Sequence, residues 1–163
     1  MDAEGTEAGG RSGVVELCGA TEIEAVVGQT LGWSSWQGIT QRDVDRFAYV
    51  TGDHQWIHTD PARARTGPFG TTIAHGYLTL ALIPRLLDDV VQISGFSATL
   101  NYGLNRVRFP AAVPVGSRIR LQGTLASFAP ARAGYELVIT SVIEIDGVDK
   151  PACVADSVVL LVP

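Results

Sequence analysis

Cysteine is scarce in this 163-residue chain, with only Cys18 and Cys153 present. They lie far apart and share no metal-type spacing, so two reduced thiols in a cytoplasmic protein are expected. Positive charge is also short. Twelve Lys and Arg stand against seventeen Asp and Glu, a net charge of −5. That balance argues against nonspecific nucleic-acid binding, which needs a cationic surface to displace counterions. A few local arginines could still serve one phosphate group. No apolar run reaches the roughly 18 residues of a membrane-spanning helix. Residues 1–13 are rich in Gly, Ala and Glu and lack the apolar centre of a signal peptide; a disordered leader is expected there. No internal repeat and no long linker follows, so residues 14–163 are expected to form a single domain. That length can bury a core without disulfides or metals.

What is present reads as helices first and strands afterwards. Val14 to Gly28 carries a short apolar pattern suited to a helix on the domain's edge, and Gly28 to Gly38 reads as an extended segment or edge strand. Thr40 and Asp43 form the start of a capping box, Val44, Phe47, Ala48 and Thr51 follow at helical spacing, and Gly52 stops the turn. Asp60-Pro61 opens a second, short helix through about Arg65. From Ala74 to Leu87 the chain is almost entirely apolar, which predicts a long buried helix with a kink or change of direction at Pro84.

Beyond Gly95 the period changes to two. Ser97 to Phe109, Ser117 to Phe128, Tyr135 to Ile145 and Ala152 to Leu161 read as strands, with Asp146-Gly147 turning between the last two. The expected class is α+β, with an antiparallel sheet wrapped around the apolar helix. Periodicity alone does not give the strand order.

The stretch from Thr51 to Pro61 is the most informative. It holds His54, His58, Asp53 and Asp60 and no serine or cysteine nucleophile, and it lies in a loop braced by flanking helices, where site residues concentrate. A carboxylate and an imidazole that share one water can add it across a polarised double bond. Asp53 would take a proton and His58 donate or relay one. The developing negative charge on the conjugated carbonyl oxygen needs a fixed donor. The backbone N–H of Gly76, at the start of the apolar helix, suits that role because no side chain blocks approach. Plainer roles stand beside these. Asp53 could merely cap a turn, His54 or His75 could be structural, and Asp60 could be only an N-cap. A metal site from His54, His58 and Asp60 is conceivable by ligand type, although it matches no standard zinc spacing.

These residues also resemble a known family. Gly-Asp-His-Gln-Trp-Ile-His-Thr-Asp-Pro over 52–61, followed by Pro-Phe-Gly-Thr-Thr-Ile-Ala-His-Gly-Tyr-Leu-Thr-Leu over 68–80, is similar to the hydratase motif of MaoC-like proteins. The Trp56-Ile57 variant points to the NodN-like and mycobacterial single-domain branch. Asn101 to Pro110, Pro114 to Arg118 and Lys150 to Ala155 fit the same branch, and the resemblance covers about Gly28 to Val162.

The resemblance implies a hot-dog fold and an (R)-specific enoyl-CoA hydratase that adds water syn to a trans-2-enoyl-CoA. Asp53 and His58 would hold the water, the Gly76 N–H would face the thioester oxygen, and His75 would shape the loop. Gln55 falls where many members have Asn and Trp56 where they have Pro, which bears on the pocket rim. Arg85, Arg106, Arg108 and Arg118 are the candidates for the CoA phosphates, with Arg106 and Arg108 on one face of their strand. The same resemblance implies a homodimer and no metal or redox cofactor, CoA being part of the substrate. A dehydratase acting on acyl-carrier-protein thioesters would use the same residues; a hot-dog thioesterase would not need the Asp53/His58 pairing, and a non-catalytic acyl-CoA-binding subunit would have no reason to keep it.

Overall fold

A computed structural model describes residues 13–163; the leader expected over 1–13 lies, but for Gly13, outside the described residues. The described residues open with a short strand and a helix of about two turns, β1 (Val15–Cys18) and α1 (Gly19–Ala25). Two edge strands follow, β2 (Thr30–Trp33) and β3 (Gln37–Gly38), then α2 (Gln41–Thr51), α3 (Trp56–Thr59) and α4 (Pro61–Ala64). The apolar stretch forms α5 (Gly76–Ala81) and α6 (Ile83–Leu87). The remainder is β4 (Val91–Ser94), β5 (Ala98–Arg108), β6 (Arg118–Ala131), β7 (Gly134–Ile145) and β8 (Val148–Val162).

The main sheet runs in the order β2-β6-β7-β8-β5, with β3 also on β6, and every pairing in it is antiparallel. This is the α+β hot-dog arrangement expected from the sequence, a curved sheet whose inner face is filled by the apolar helical segment. Inner positions of β7 alternate as read, with Leu137, Ile139, Ser141, Ile143 and Ile145 all buried. The hairpin turn at Gly147 has φ 74°, a conformation that an L side chain disfavours. Gly123, Ser141 and Ala155 are cross-strand neighbours on β6, β7 and β8. This row of small residues leaves room for α6, and Leu87 Cδ2 lies 3.2 Å from where a Cβ on Gly123 would stand. One apolar cluster runs from Leu17 through Ile83 and Leu86 to Leu161.

Three features differ from the sequence reading. The first segment opens as a strand, because Val15–Cys18 pairs in parallel with Val91–Ser94, and only Gly19–Ala25 is helical. The helical segment is divided at Leu82. Pro84 has no N–H to give the Leu80 carbonyl, so the ladder breaks there, and the change of direction expected at Pro84 takes the form of a second short helix. The segment also has an open side: Leu78, Thr79, Ile83 and Leu86 are buried, whereas Tyr77 is 71% exposed and Ala81 is exposed.

Candidate active site

α2 delivers the chain into the site. Thr40 Oγ1 accepts the N–H of Asp43, and the Asp43 side chain accepts the N–H of Thr40. That reciprocal cap satisfies two of the orphan donors at the helix start. Gly52 ends the helix at φ 77°, the left-handed conformation that turns the chain sharply, and Asp53 follows at once. The Asp53 carboxylate sits in a loose turn, its Oδ1 3.4 Å from the Gln55 N–H, and its side chain is 54% exposed.

His58 is held quite differently. It lies in α3, is 7% exposed, and its Nδ1 is 2.7 Å from the carbonyl oxygen of Ile73. Nδ1–H therefore donates to that carbonyl, and Nε2 keeps its lone pair. Burial holds the His58 pKa below the ordinary histidine value; the His75 ring adds to this, against opposing effects of the Ile73 carbonyl and Asp53. Gln41 Nε2 donates to the His58 carbonyl at 2.7 Å, and the Thr72 hydroxyl donates to Gln41 Oε1. Ile73 itself is fixed from both sides. Its N–H donates to the Ile57 carbonyl at 3.0 Å, and the next residue's N–H donates to Val113 at 2.8 Å.

His75 closes the cluster. Its ring stacks on His58 with centroids 3.8 Å apart and 23° between planes, and its Nε2 is 2.9 Å from the Asp53 carbonyl. A carboxylate oxygen of Asp53 and one ring nitrogen from each of His58 and His75 all lie within 4.8 Å of one another. By donor type this set could hold a cation. However, the in-plane lone pairs of two stacked rings stay in nearly parallel planes and do not meet at one point. The arrangement suits a water held between a carboxylate and an imidazole better. The His54, His58, Asp60 grouping is not formed: Asp60 Oδ1 accepts the Arg63 N–H as an N-cap, and His54 is exposed.

Gly76 opens α5 directly after His75. The first N–H of a helix has no intrahelical acceptor, and among the described residues none takes it. The Phe109 ring presses on Gly76, 3.0 Å from where a Cβ would stand, a contact that nothing in the sequence announces. Gln55 is exposed and forms the N-cap of α3, its carbonyl accepting the His58 N–H.

The four arginines are not gathered. Arg85 pairs with Asp89 at 3.2 Å and Arg106 with Asp156 at 3.3 Å, while Arg118 pairs with Asp146. Arg108 Nη1 donates to the carbonyl of Val107. Arg106 and Arg108 share a face of β5, opposite Asp156 and Val154. Arg118 stands on β6, with β7 and β8 between; it lies three strand spacings, roughly 14 Å, across the sheet and is displaced along it as well, since Arg106 and Arg108 are level with Thr124 and Gln122.

Residues 22–146 match the model of the MaoC-like domain. The 3-hydroxyacyl-thioester dehydratase Z of Mycobacterium tuberculosis is 50% identical over 139 residues, which cover 85% of this chain and 92% of the relative. Nodulation protein N of Rhizobium leguminosarum bv. viciae is 39% identical over 144 residues, 86% of this chain and 89% of the relative. Among solved structures, the unliganded R-hydratase PhaJ1 of Pseudomonas aeruginosa superposes with a TM-score of 0.68 at 25% identity. That match covers 83% of this chain and 81% of the other. Both sequence relatives fall in the branch to which the Trp56-Ile57 variant pointed. With the motif of residues 52–80 folded into one cluster and a match over most of its length, the chain belongs to the MaoC-like domain family.

Proposed function

We propose that the protein is an (R)-specific hydro-lyase that adds water reversibly across the double bond of a trans-2-enoyl thioester, with the CoA thioester as substrate. The observation that carries this is the pairing of Asp53 with a buried His58 whose Nδ1 is tied to Ile73, leaving Nε2 as an acceptor. A water between them would donate to the carboxylate and to Nε2. As its oxygen bonds to C3, one of the pair takes a water proton and returns it to C2 on the same face, so that the elements of one water are added and both groups end as they began. The Gly76 N–H would stabilise the charge that develops on the thioester oxygen. The reverse reaction uses the same groups, so the dehydratase name of the mycobacterial relative describes the same chemistry. No redox cofactor or metal enters this scheme.

Other features support the reading. A cavity of about 800 Å³ lies between α6, β4 and β5, walled by Ile83, Leu87, Ile139 and Val159 among others, and it offers an apolar space for an acyl tail. Arg106 and Arg108 remain the candidates for the CoA phosphates. β5 ends the sheet with Leu100, Tyr102 and Leu104 exposed. An unpaired edge of that length is a template for pairing, and a homodimer through β5 is the proposed assembly. Cys18 and Cys153 are both free, as a cytoplasmic location would have them, and no helix among the described residues is long and apolar enough to cross a membrane.

The test is the enoyl absorbance of crotonyl-CoA in the ultraviolet. The expected result is its loss on adding protein, formation of (R)-3-hydroxybutyryl-CoA and no free thiol. Release of thiol would indicate a thioesterase. Turnover confined to carrier-protein thioesters would move the substrate from CoA to acyl carrier protein. Inactivity on both would leave an acyl-CoA-binding subunit.

A further inference from the structure

His75 touches each part of the site without a step of its own in the hydration scheme. Its Nε2–H donates to the Asp53 carbonyl at 2.9 Å. Its ring stacks on His58 at 3.8 Å, with Phe47 against it at 5.0 Å. Its carbonyl accepts the N–H groups of Leu78 and Thr79 at the start of α5, one residue from Gly76. With Nε2 donating, Nδ1 carries the lone pair. That nitrogen is buried with no hydrogen-bond partner among the described residues, in a residue only 2% exposed. A buried acceptor left unpaired destabilises the fold, and an apolar ring would fill the same space beside Phe47 without that cost. The Nε2–H donor is what the imidazole adds.

Asp53 has few other restraints. Its N–H reaches Thr51 Oγ1 only at 3.4 Å, and its Oδ1 reaches the Gln55 N–H only at 3.4 Å. The bond from His75 is the shortest tie on a residue whose side chain is half open to solvent. We infer that His75 is a positioning residue: it fixes the Asp53 main chain relative to the His58 ring and so sets the distance between carboxylate and imidazole. This rests on the hydratase reading above. Displacing a catalytic group by about 1 Å can lower turnover roughly 100-fold, so the tie should act on kcat rather than on substrate binding.

Two substitutions separate the donor from the volume. His75→Gln places an amide N–H near the former Nε2 and keeps a donor for the Asp53 carbonyl. His75→Phe keeps ring, stacking and bulk and loses the donor. The expected result is a fall in kcat of roughly tenfold or more for His75→Phe, with KM for crotonyl-CoA little changed. His75→Gln should recover most of that kcat, with both variants melting near the wild type.

Nitrogen-15 NMR of the wild type should show His75 as the Nε2–H tautomer. The amide signal of His54, whose N–H shares a peptide unit with the Asp53 carbonyl that accepts from His75, should move in His75→Phe and stay near its place in His75→Gln. A His75→Phe enzyme at wild-type kcat, a His75→Gln enzyme as slow as His75→Phe, or an Nδ1–H tautomer would overturn the inference. A wild type without hydratase activity would instead sink the functional reading, and the tautomer and the His54 signal would still decide the role of His75.

Discussion

In the proposed reaction, the pH dependence of the site rests on His58. Its folded pKa is lowered, first by burial, so the neutral ring predominates down to a pH below the ordinary value of about 6.5. Protonation would remove the Nε2 lone pair to which the proposed water donates. The acid limb of kcat/KM, which reports the free enzyme, should therefore lie below about pH 6.5. An acid limb at or above that value would contradict the burial argument. The linked effect on stability has the same sense. A depressed folded pKa gives a contribution that is present above the unfolded value and lost as pH falls through the folded one. Gly76 makes a second prediction at this scale. A Cβ there would stand 3.0 Å from the Phe109 ring, so Gly76→Ala should destabilise the protein by about 1–3 kcal/mol, as overpacking does. Adding Phe109→Leu should return part of that loss in thermal denaturation. An undiminished melting temperature for Gly76→Ala would show that the ring moves freely.

The elements that the sequence announced are those with long or chemically marked patterns. β7 is legible because every second residue from Leu137 to Ile145 is buried. α2 is legible because Thr40, Asp43 and Gly52 mark both ends. β1 and β4 are not, because each alternates over only four residues, too few for a period to stand out, and their pairing joins segments about 75 positions apart in sequence. α3 is hidden for the same reason, a single turn between two marked helix ends. Asp53, His58 and Gly76 could be named from the motif, but their partners could not. Ile73 and Phe109 act through a carbonyl and a ring face, and these meet the site only after folding.

Under the proposed function, the broken helix would border the acyl path. Ile83, Pro84 and Leu87 of α6 border the 800 Å³ cavity, and Ser157 of β8 faces it from the sheet. Ser157→Phe should fill part of it. Turnover of long enoyl-CoAs should then fall well below that of crotonyl-CoA in the variant. Equal effects on short and long chains would remove the cavity from the acyl path.

The whole molecule presents one long strand to solvent. β5 ends the sheet, with Tyr102 70% exposed and Leu100 and Leu104 about half exposed. Pairing with a second copy would cover them and continue the sheet. Sedimentation should give twice the 17.3 kDa of one chain, and Leu104→Lys should shift the protein toward the monomer by placing like charges across the two-fold axis. A wild type that sediments as a monomer at micromolar concentration would rule out this assembly. The central claim remains the pairing of Asp53 with His58, and the most direct measurement is kcat for crotonyl-CoA hydration by wild type, Asp53→Asn and His58→Gln. Loss of one partner of a general acid–base pair commonly costs roughly 10²–10⁴-fold. Both variants should lose that much while circular dichroism shows the fold intact. Near-normal turnover in the two folded variants would place the chemistry elsewhere.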